Sequence, residues 1–211
     1  IIRPALRIVG LRQGVSRVSA LQLLVLKDRL FFFADTMVNI QPTSEELAEI
    51  ACLAADTARL FDVEPRIAML SFSSFGSVSH PDAARVAEAV TKVQQRRPEL
   101  IVDGEMHLDT AVVEEIVREN YPHSRIRGDA NVLIFPNLAA GNIGYKLVQR
   151  LGRAESIGPI LMGMARPVAA LQHGTTVADV VNLAAINAAM VDAGRDPGGV
   201  VVPVPEPALT R

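Results

Sequence analysis

The sequence predicts an α/β domain in which helices flank a largely parallel sheet, and three observations point there. Short apolar runs alternate with helical patterns in four successive βα units, spaced at roughly 30 residues, which suits right-handed crossovers. Small aliphatic residues dominate a chain that is 49% apolar and 4% aromatic and has no Trp, a composition better matched to helices on a parallel sheet than to a sandwich. The run from Val132 to Phe135 is apolar at every position, the pattern of a strand buried on both faces.

Residues 1–14 begin abruptly, with Arg3-Pro4 and an apolar pattern at Leu6, Ile8, Val9 and Leu11 but no helix cap, so the start reads as a cut through a larger protein. A polar turn at 14–19 leads into a strand over 21–26. The short charged turn Lys27-Asp28-Arg29 joins it to a second strand over 30–34, and so short a turn predicts an antiparallel hairpin. Within the second strand, Phe31-Phe32-Phe33 places rings on both faces and reads as core plus a partner contact. Thr43 followed by Glu46 is a capping box, predicting a helix to about Phe61. A strand over 66–71 follows, then a small-residue loop over 71–77 and a helix opened by Pro81-Asp82 and running to Arg97. Residues 100–102 form a short strand, 103–109 a polar loop, and 110–120 a helix ended by Tyr121-Pro122. After the 132–135 strand, Pro136 and the loop Asn137-Leu138-Ala139-Ala140-Gly141-Asn142 precede a helix in which Ile143, Leu147, Val148 and Leu151 share one face. Residues 157–163 form a strand flanked by glycines. Thr175 or Thr176 caps a last helix through Met190, and residues 192–211, rich in Gly, Pro and Val, read as a flexible tail.

The formal net charge of −2 gives no electrostatic case for nucleic acid or an acidic membrane surface. The single cysteine, Cys52, lies in an apolar helical pattern, rules out an intramolecular disulfide and fits a reducing compartment. No apolar run approaches the ~20 residues that span a bilayer. Arg3, Arg7 and Arg12 interrupt the start where a signal peptide would be apolar. The protein is expected in the cytoplasm.

Polar loops follow each predicted parallel strand, at 35–39, 71–77, 103–109 and 137–142, and a parallel sheet gathers such loops along one edge. Ser and Asn side chains with helix N-termini suit a phosphate-bearing ligand, although Asn137 and Asn142 serve equally well as cap and turn residues. Neither GxGxxG nor a Walker sequence occurs, so a standard dinucleotide or nucleoside triphosphate site is not indicated. Glu105, His107 and Asp109, at alternate positions, could ligate a divalent ion, but a solvated or backbone-bonded loop is the favoured reading. His80, His123 and His173 are isolated and read as surface or capping residues. Ser71, Ser73 and Ser74 lack the GxSxG elbow of a nucleophile. Residue chemistry alone thus ends at an α/β ligand-binding domain with an anionic ligand favoured.

The ordered motifs go further. IIRPALRIV, DTMVNIQPTSEELAEIA, VEPRIAMLSFSSFGS, PELIVDGEMHLDTAV, SRIRGDANVLIFPNLAAGNIGYKLVQRL and IGPILMGMARPV resemble, in order and spacing, the phosphate acetyl/butyryltransferase (phosphotransacetylase) family. The likeness covers Arg3 to Met190. It implies a phosphotransacetylase-like (isocitrate dehydrogenase-like) fold with part of a second domain missing at the N-terminus. Residues 10–165 would be the family's second domain, and 1–9 with 166–191 a remnant of the first. The resemblance also implies coenzyme A or acetyl-coenzyme A as substrate or effector, possible use of acetyl phosphate, no tightly bound cofactor, no metal and a homo-oligomer.

In active members of the family an Asp deprotonates the coenzyme A thiol, and a Ser-Arg pair supports the transition state and the phosphate. The base position is matched by Asp179, but the Ser-Arg positions hold Gln172 and His173. Gln donates one hydrogen bond, and neutral His replaces a fixed cation poorly. Loss of an oxyanion donor costs on the order of 10²–10³ in rate, so weak or absent acyltransferase activity is expected. The family also occurs as the C-terminal domain of hybrid NADP-dependent malic enzymes, where acetyl-coenzyme A is a regulator. Ser73–Ser77 and Gly104–His107 look more like that branch, whereas GNIGYKLVQRL looks more like true transacetylases. The leading expectation is therefore a regulatory, oligomerising domain attached to N-terminal malic enzyme domains, with an active phosphate acetyltransferase as the alternative. Expected ligand contacts are Arg3, Ser73, Ser74, Ser77, Asn137, Asn142, Lys146 and Arg166.

Overall fold

The computed structural model describes residues 2–27, 29–171 and 174–193. Helix α1 (Ile2–Ile8) precedes an antiparallel hairpin of β1 (Ser19–Leu26) and β2 (Arg29–Ala34), in register from Leu21 opposite Ala34 to Leu26 opposite Arg29. Lys27 opens the tight turn with a left-handed φ of 55°. Next come α2 (Ser44–Arg59), β3 (Arg66–Leu70), α3 (Pro81–Arg96) and β4 (Ile101–Met106). The chain continues through α4 (Leu108–Val112), α5 (Glu114–Asn120), β5 (Val132–Ile134) and α6 (Leu138–Arg150), then β6 (Glu155–Met162), β7 (Val168–Ala169) and α7 (Val177–Ala193).

The strands form one sheet in the order β4-β3-β5-β2-β1-β6-β7. The first four are mutually parallel, and β6, antiparallel to β1, runs with them, so among the described strands five of seven share a direction. Helices α2, α3 and α7 cover one face over Leu47, Ile50, Ile67, Met69, Val86 and Leu183. The other face is filled by Phe31, Phe33, Ala68, Met106, Leu133 and Tyr145, the last from α6. Alternation along β2 sends Phe32 into the first core and Phe31 and Phe33 into the second, so all three rings are buried and none is left for a partner. Helix α1 closes a third cluster through Leu6 against Leu11, Ala20 and Leu161.

The α2 capping box forms as expected: Thr43 Oγ1 accepts from Glu46 N at 3.3 Å and Glu46 Oε2 from Thr43 N at 2.8 Å. Cys52, a free thiol on that helix, is partly buried, and burial pushes its pKa up, which disfavours the thiolate.

Several expectations are corrected. The single helix over 110–120 is two helices, broken at Val113, whose backbone is extended. The neighbouring segment packs tightly on the break: a Cβ on Gly128 would stand 2.3 Å from Glu114 N. The two-residue β7 was unmarked in the sequence, being too short for a periodic signal. Of the expected α6 face, Val148 packs against the second core, but Ile143, Leu147 and Leu151 turn outward and are 58, 50 and 78% exposed. The helix docks instead through glycines, since a Cβ at Gly141 would lie 2.2 Å from Asp35 O and one at Gly144 3.0 Å from the Phe135 ring. Asp192 and Ala193, read as the start of the tail, continue α7; residues 194–211 lie outside the described residues. Among the described residues no helix is long and apolar enough to cross a membrane.

Because the α6 approach leaves no room for a methyl group, Gly141→Ala should destabilise the fold by about 1–3 kcal/mol, read as a lower urea midpoint at unchanged m-value.

Candidate functional site

Strands β4, β3, β5 and β2 lie side by side and parallel, so the loops leaving their carboxyl ends are neighbours. Two hydrogen-bonded groups result.

The first is organised by Asp35, directly after β2 and buried. Its Oδ1 accepts from Met37 N at 2.8 Å, Val38 N at 3.1 Å and Ala20 N at 3.2 Å. Its Oδ2 accepts from Asn39 N at 2.9 Å and from the Asn39 amide. The loop after β5 locks onto this one: Asn142 Nδ2 donates to Thr36 O at 3.1 Å, and Arg85 of α3 donates to both Pro42 O and Pro136 O. Asn137 is the N-cap of α6, accepting from Ala140 N at 2.9 Å.

The second group joins the loop after β3 to the end of β4 through Glu105. The Oε1 atom of this buried carboxylate accepts from Ser73 Oγ at 2.7 Å and Gly76 N at 2.8 Å. Ser73 Oγ also accepts from Val78 N at 3.1 Å, and Ser74 Oγ from His107 N at 2.9 Å. Ser77 Oγ accepts from Ser74 N at 3.0 Å, which tightens the turn through Phe75, a residue with a left-handed φ of 50°. The Phe75 ring packs against Tyr121 and His123. Beside this loop lies an open cavity of about 490 Å³, lined by Val78, His80, Pro81, Ala84 and Ala87 with Glu105 on its wall. His80 caps α3, its Nδ1 accepting from Asp82 N at 3.1 Å.

The expected contacts therefore divide. Asn137 and Asn142 come together with the Asp35 loop. Ser73 and Ser74 are buried, with their hydroxyls engaged by the protein, and Ser77 remains exposed. Lys146 stands exposed on α6, its ammonium 5.8 Å from the Tyr145 ring. Arg166 follows β6 at the same edge of the sheet, exposed, with Nη1 donating to Ala165 O at 3.1 Å. Arg3 is exposed on α1. Gln172 and His173 lie outside the described residues. Asp179 sits in the first turn of α7, its Oδ2 accepting from Thr176 N and Thr176 Oγ1, each at 2.8 Å. Those two bonds hold its carboxyl below the ordinary Asp range.

Glu105, His107 and Asp109 do not converge as ligands. His107 Nε2 bonds to Phe72 O at 2.7 Å and Asp109 Oδ1 accepts from Thr110 N at 2.8 Å, so each side chain serves a different partner. Sequence reasoning missed Asp35, Arg85 and Glu105 as organisers of the edge. Asp35 carried a signal, as an acid immediately after a strand; Glu105 lies inside β4, which runs to Met106 where a loop from 103 was expected, and Arg85 reads as a solvated helix charge.

Comparison with known proteins adds an independent line. The family model described as "Phosphate acetyl/butaryl transferase" matches residues 1–188. The phosphate acetyltransferase of Bacillus subtilis is 47% identical over 188 residues, 89% of this chain and 58% of that protein. That of Nitratidesulfovibrio vulgaris is 46% identical over 194 residues, 92% of this chain and 28% of its own length. Among solved structures, a phosphotransacetylase from Streptococcus pyogenes superposes with a TM-score of 0.88 at 44% identity, over 92% of this chain and 59% of its own. EutD phosphotransacetylase from Staphylococcus aureus gives 0.85 at 43% identity, over 89% and 58%. The chain thus spans less than two thirds of the length of these relatives.

The Glu105 clasp makes a local prediction. Glu105→Ala leaves Ser73 Oγ and Gly76 N without their acceptor, a loss of about 1–3 kcal/mol. Amide exchange at Gly76 should accelerate markedly, while exchange on β2, outside this group, stays slow.

Proposed function

Because the chain belongs to the phosphate acetyl/butyryl transferase family, we propose that it serves in a phosphate acetyltransferase, which moves an acetyl group between coenzyme A and inorganic phosphate. One observation carries this reading: relatives 47 and 46% identical over most of this chain are themselves phosphate acetyltransferases. Coenzyme A and acetyl-coenzyme A are then substrates rather than bound cofactors.

In the direction that consumes acetyl phosphate, Asp179 takes the thiol proton and the sulfur attacks the acetyl carbonyl carbon. The carbon–oxygen bond to phosphate then breaks, and phosphate leaves with the electron pair. Gln172 stands where the family places its hydroxyl donor and His173 where it places its arginine, so charge on phosphate falls to other cations. Arg3, Arg166 and Lys146, exposed and each carrying a full positive charge, are suited to that task. Asn142 and Ser77 complete the proposed contacts.

Residues 10–165 act as one domain of the enzyme, while 1–9 and 166–191 belong with the other. Ile8 on α1 and Val177, Val180 and Val181 on α7 are exposed apolar residues that a neighbouring domain would cover. The outward Ile143-Leu147-Leu151 row on α6 supports a second copy of the chain as partner. The protein works in the cytoplasm, with Cys52 as a free thiol.

A second reading, a regulatory domain of an NADP-dependent malic enzyme that binds acetyl-coenzyme A without turnover, is favoured by Gln172 and His173 and by the likeness of Ser73–Ser77 and Gly104–His107 to that branch. The relatives named above carry no malic enzyme in their descriptions.

Turnover separates the two. The intact polypeptide should form acetyl-coenzyme A from acetyl phosphate, and Asp179→Asn should lower kcat by at least about 100-fold with coenzyme A affinity retained. Calorimetric binding of acetyl-coenzyme A without turnover in the unmodified protein would instead select the regulatory reading.

A further inference from the structure

Two neighbouring donors converge on one oxygen at the start of α7. Thr176 N–H and Thr176 Oγ1–H both donate to Asp179 Oδ2 at 2.8 Å, and Asp179 N returns a bond to Thr176 Oγ1 at 3.2 Å. Among the described residues, no hydrogen bond reaches Asp179 Oδ1. We infer that Thr176 is a positioning residue for acyl transfer: it pins the Asp179 carboxylate through Oδ2 and so presents Oδ1, in a fixed direction, to the coenzyme A thiol. This rests on the reading of Asp179 as the base.

The arrangement trades strength for direction. A free carboxylate rotates about its last torsion and presents either oxygen, whereas two donors on one atom remove that freedom before substrate arrives. The same donors favour the ionised form, which makes Asp179 a weaker base toward a thiol whose ordinary pKa is about 8.5. Proton transfer to it is uphill, so its contribution must come from placement. Among the described residues, no charged neighbour offers another source of the depression. The elements packed on α7 are β6 and β7, whose ionisable side chain is Glu155, at the end of β6 away from its pairing with β7. Asp192 lies at the opposite end of α7, and Arg166, in the β6–β7 connection, donates to Ala165 O.

The test compares Thr176→Val, which keeps the N–H and the size but removes the hydroxyl, with Thr176→Ser, which keeps both donors. In Thr176→Val, carbon-13 NMR should show Asp179 titrating at higher pH. The acid limb of the kcat profile of the intact polypeptide should move the same way, and kcat should fall about 10-fold at unchanged KM for coenzyme A. Thr176→Ser should restore all three. An Asp179 titration unchanged in Thr176→Val overturns the inference. So does a titration that moves while kcat and its acid limb stay put. Should Thr176→Val fail to fold, Thr176→Ala makes the same comparison. Full activity in Asp179→Asn would reject the base assignment itself, whereas an inactive Asp179→Asn beside a silent Thr176→Val rejects the positioning role alone.

Discussion

The edge of the sheet that carries the candidate site depends on the Asp35 carboxylate. Where β2 ends, the chain turns away and the amides of Met37, Val38 and Asn39 lose the partners a strand would have given them. A buried acid that accepts from all three, and from Ala20 across on β1, replaces those partners. Burying a carboxylate is costly, but charge-assisted bonds to four backbone amides and a side-chain amide offset the lost hydration. The turn is thereby tied to the antiparallel neighbour. Asn39 extends the tie, donating to Val18 O at 3.1 Å and accepting from Arg17 at 2.9 Å. Helix α6 then rests on the Asp35 carbonyl through Gly141, so the position of Asn142 and of every later residue of that helix follows from one carboxylate.

What the sequence made legible was local. The capping box at Thr43, the short charged turn between β1 and β2, and Pro81 at the start of α3 are readable because each signal lies within four residues of its effect. The gathering of polar loops at one edge was readable too, since it follows from strand direction alone. Helix α6 misled because periodicity identifies an apolar stripe but not what it faces. The glycine face won, since only Gly141 and Gly144 permit backbone contact with Asp35 and Phe135. The break at Val113 is packed against Gly128, fifteen residues away in the chain and in direct contact in space. For the site, residue types were legible and their orientation was not. Whether Ser73 points outward or inward is decided by Glu105, 32 positions later in the chain.

Orientation and charge together constrain where phosphate can bind. Ser73 and Ser74 turn their hydroxyls to protein acceptors and donors, and the cavity beside them has the Glu105 carboxylate on its wall, whose Oε2 takes no hydrogen bond among the described residues. A phosphate brought there would meet an anion with no cation to offset it, because Glu105 forms no ion pair among the described residues. Like charges a few ångströms apart in a partly dehydrated pocket repel by several kcal/mol. The cations that could receive phosphate, Arg3, Lys146 and Arg166, arise instead from α1, α6 and the connection after β6, beyond β3 and β4 in the order of the sheet. Ser73 and Ser74 thus belong to the architecture of the edge, which favours the side of Asn142 and Arg166 for the proposed phosphate contacts.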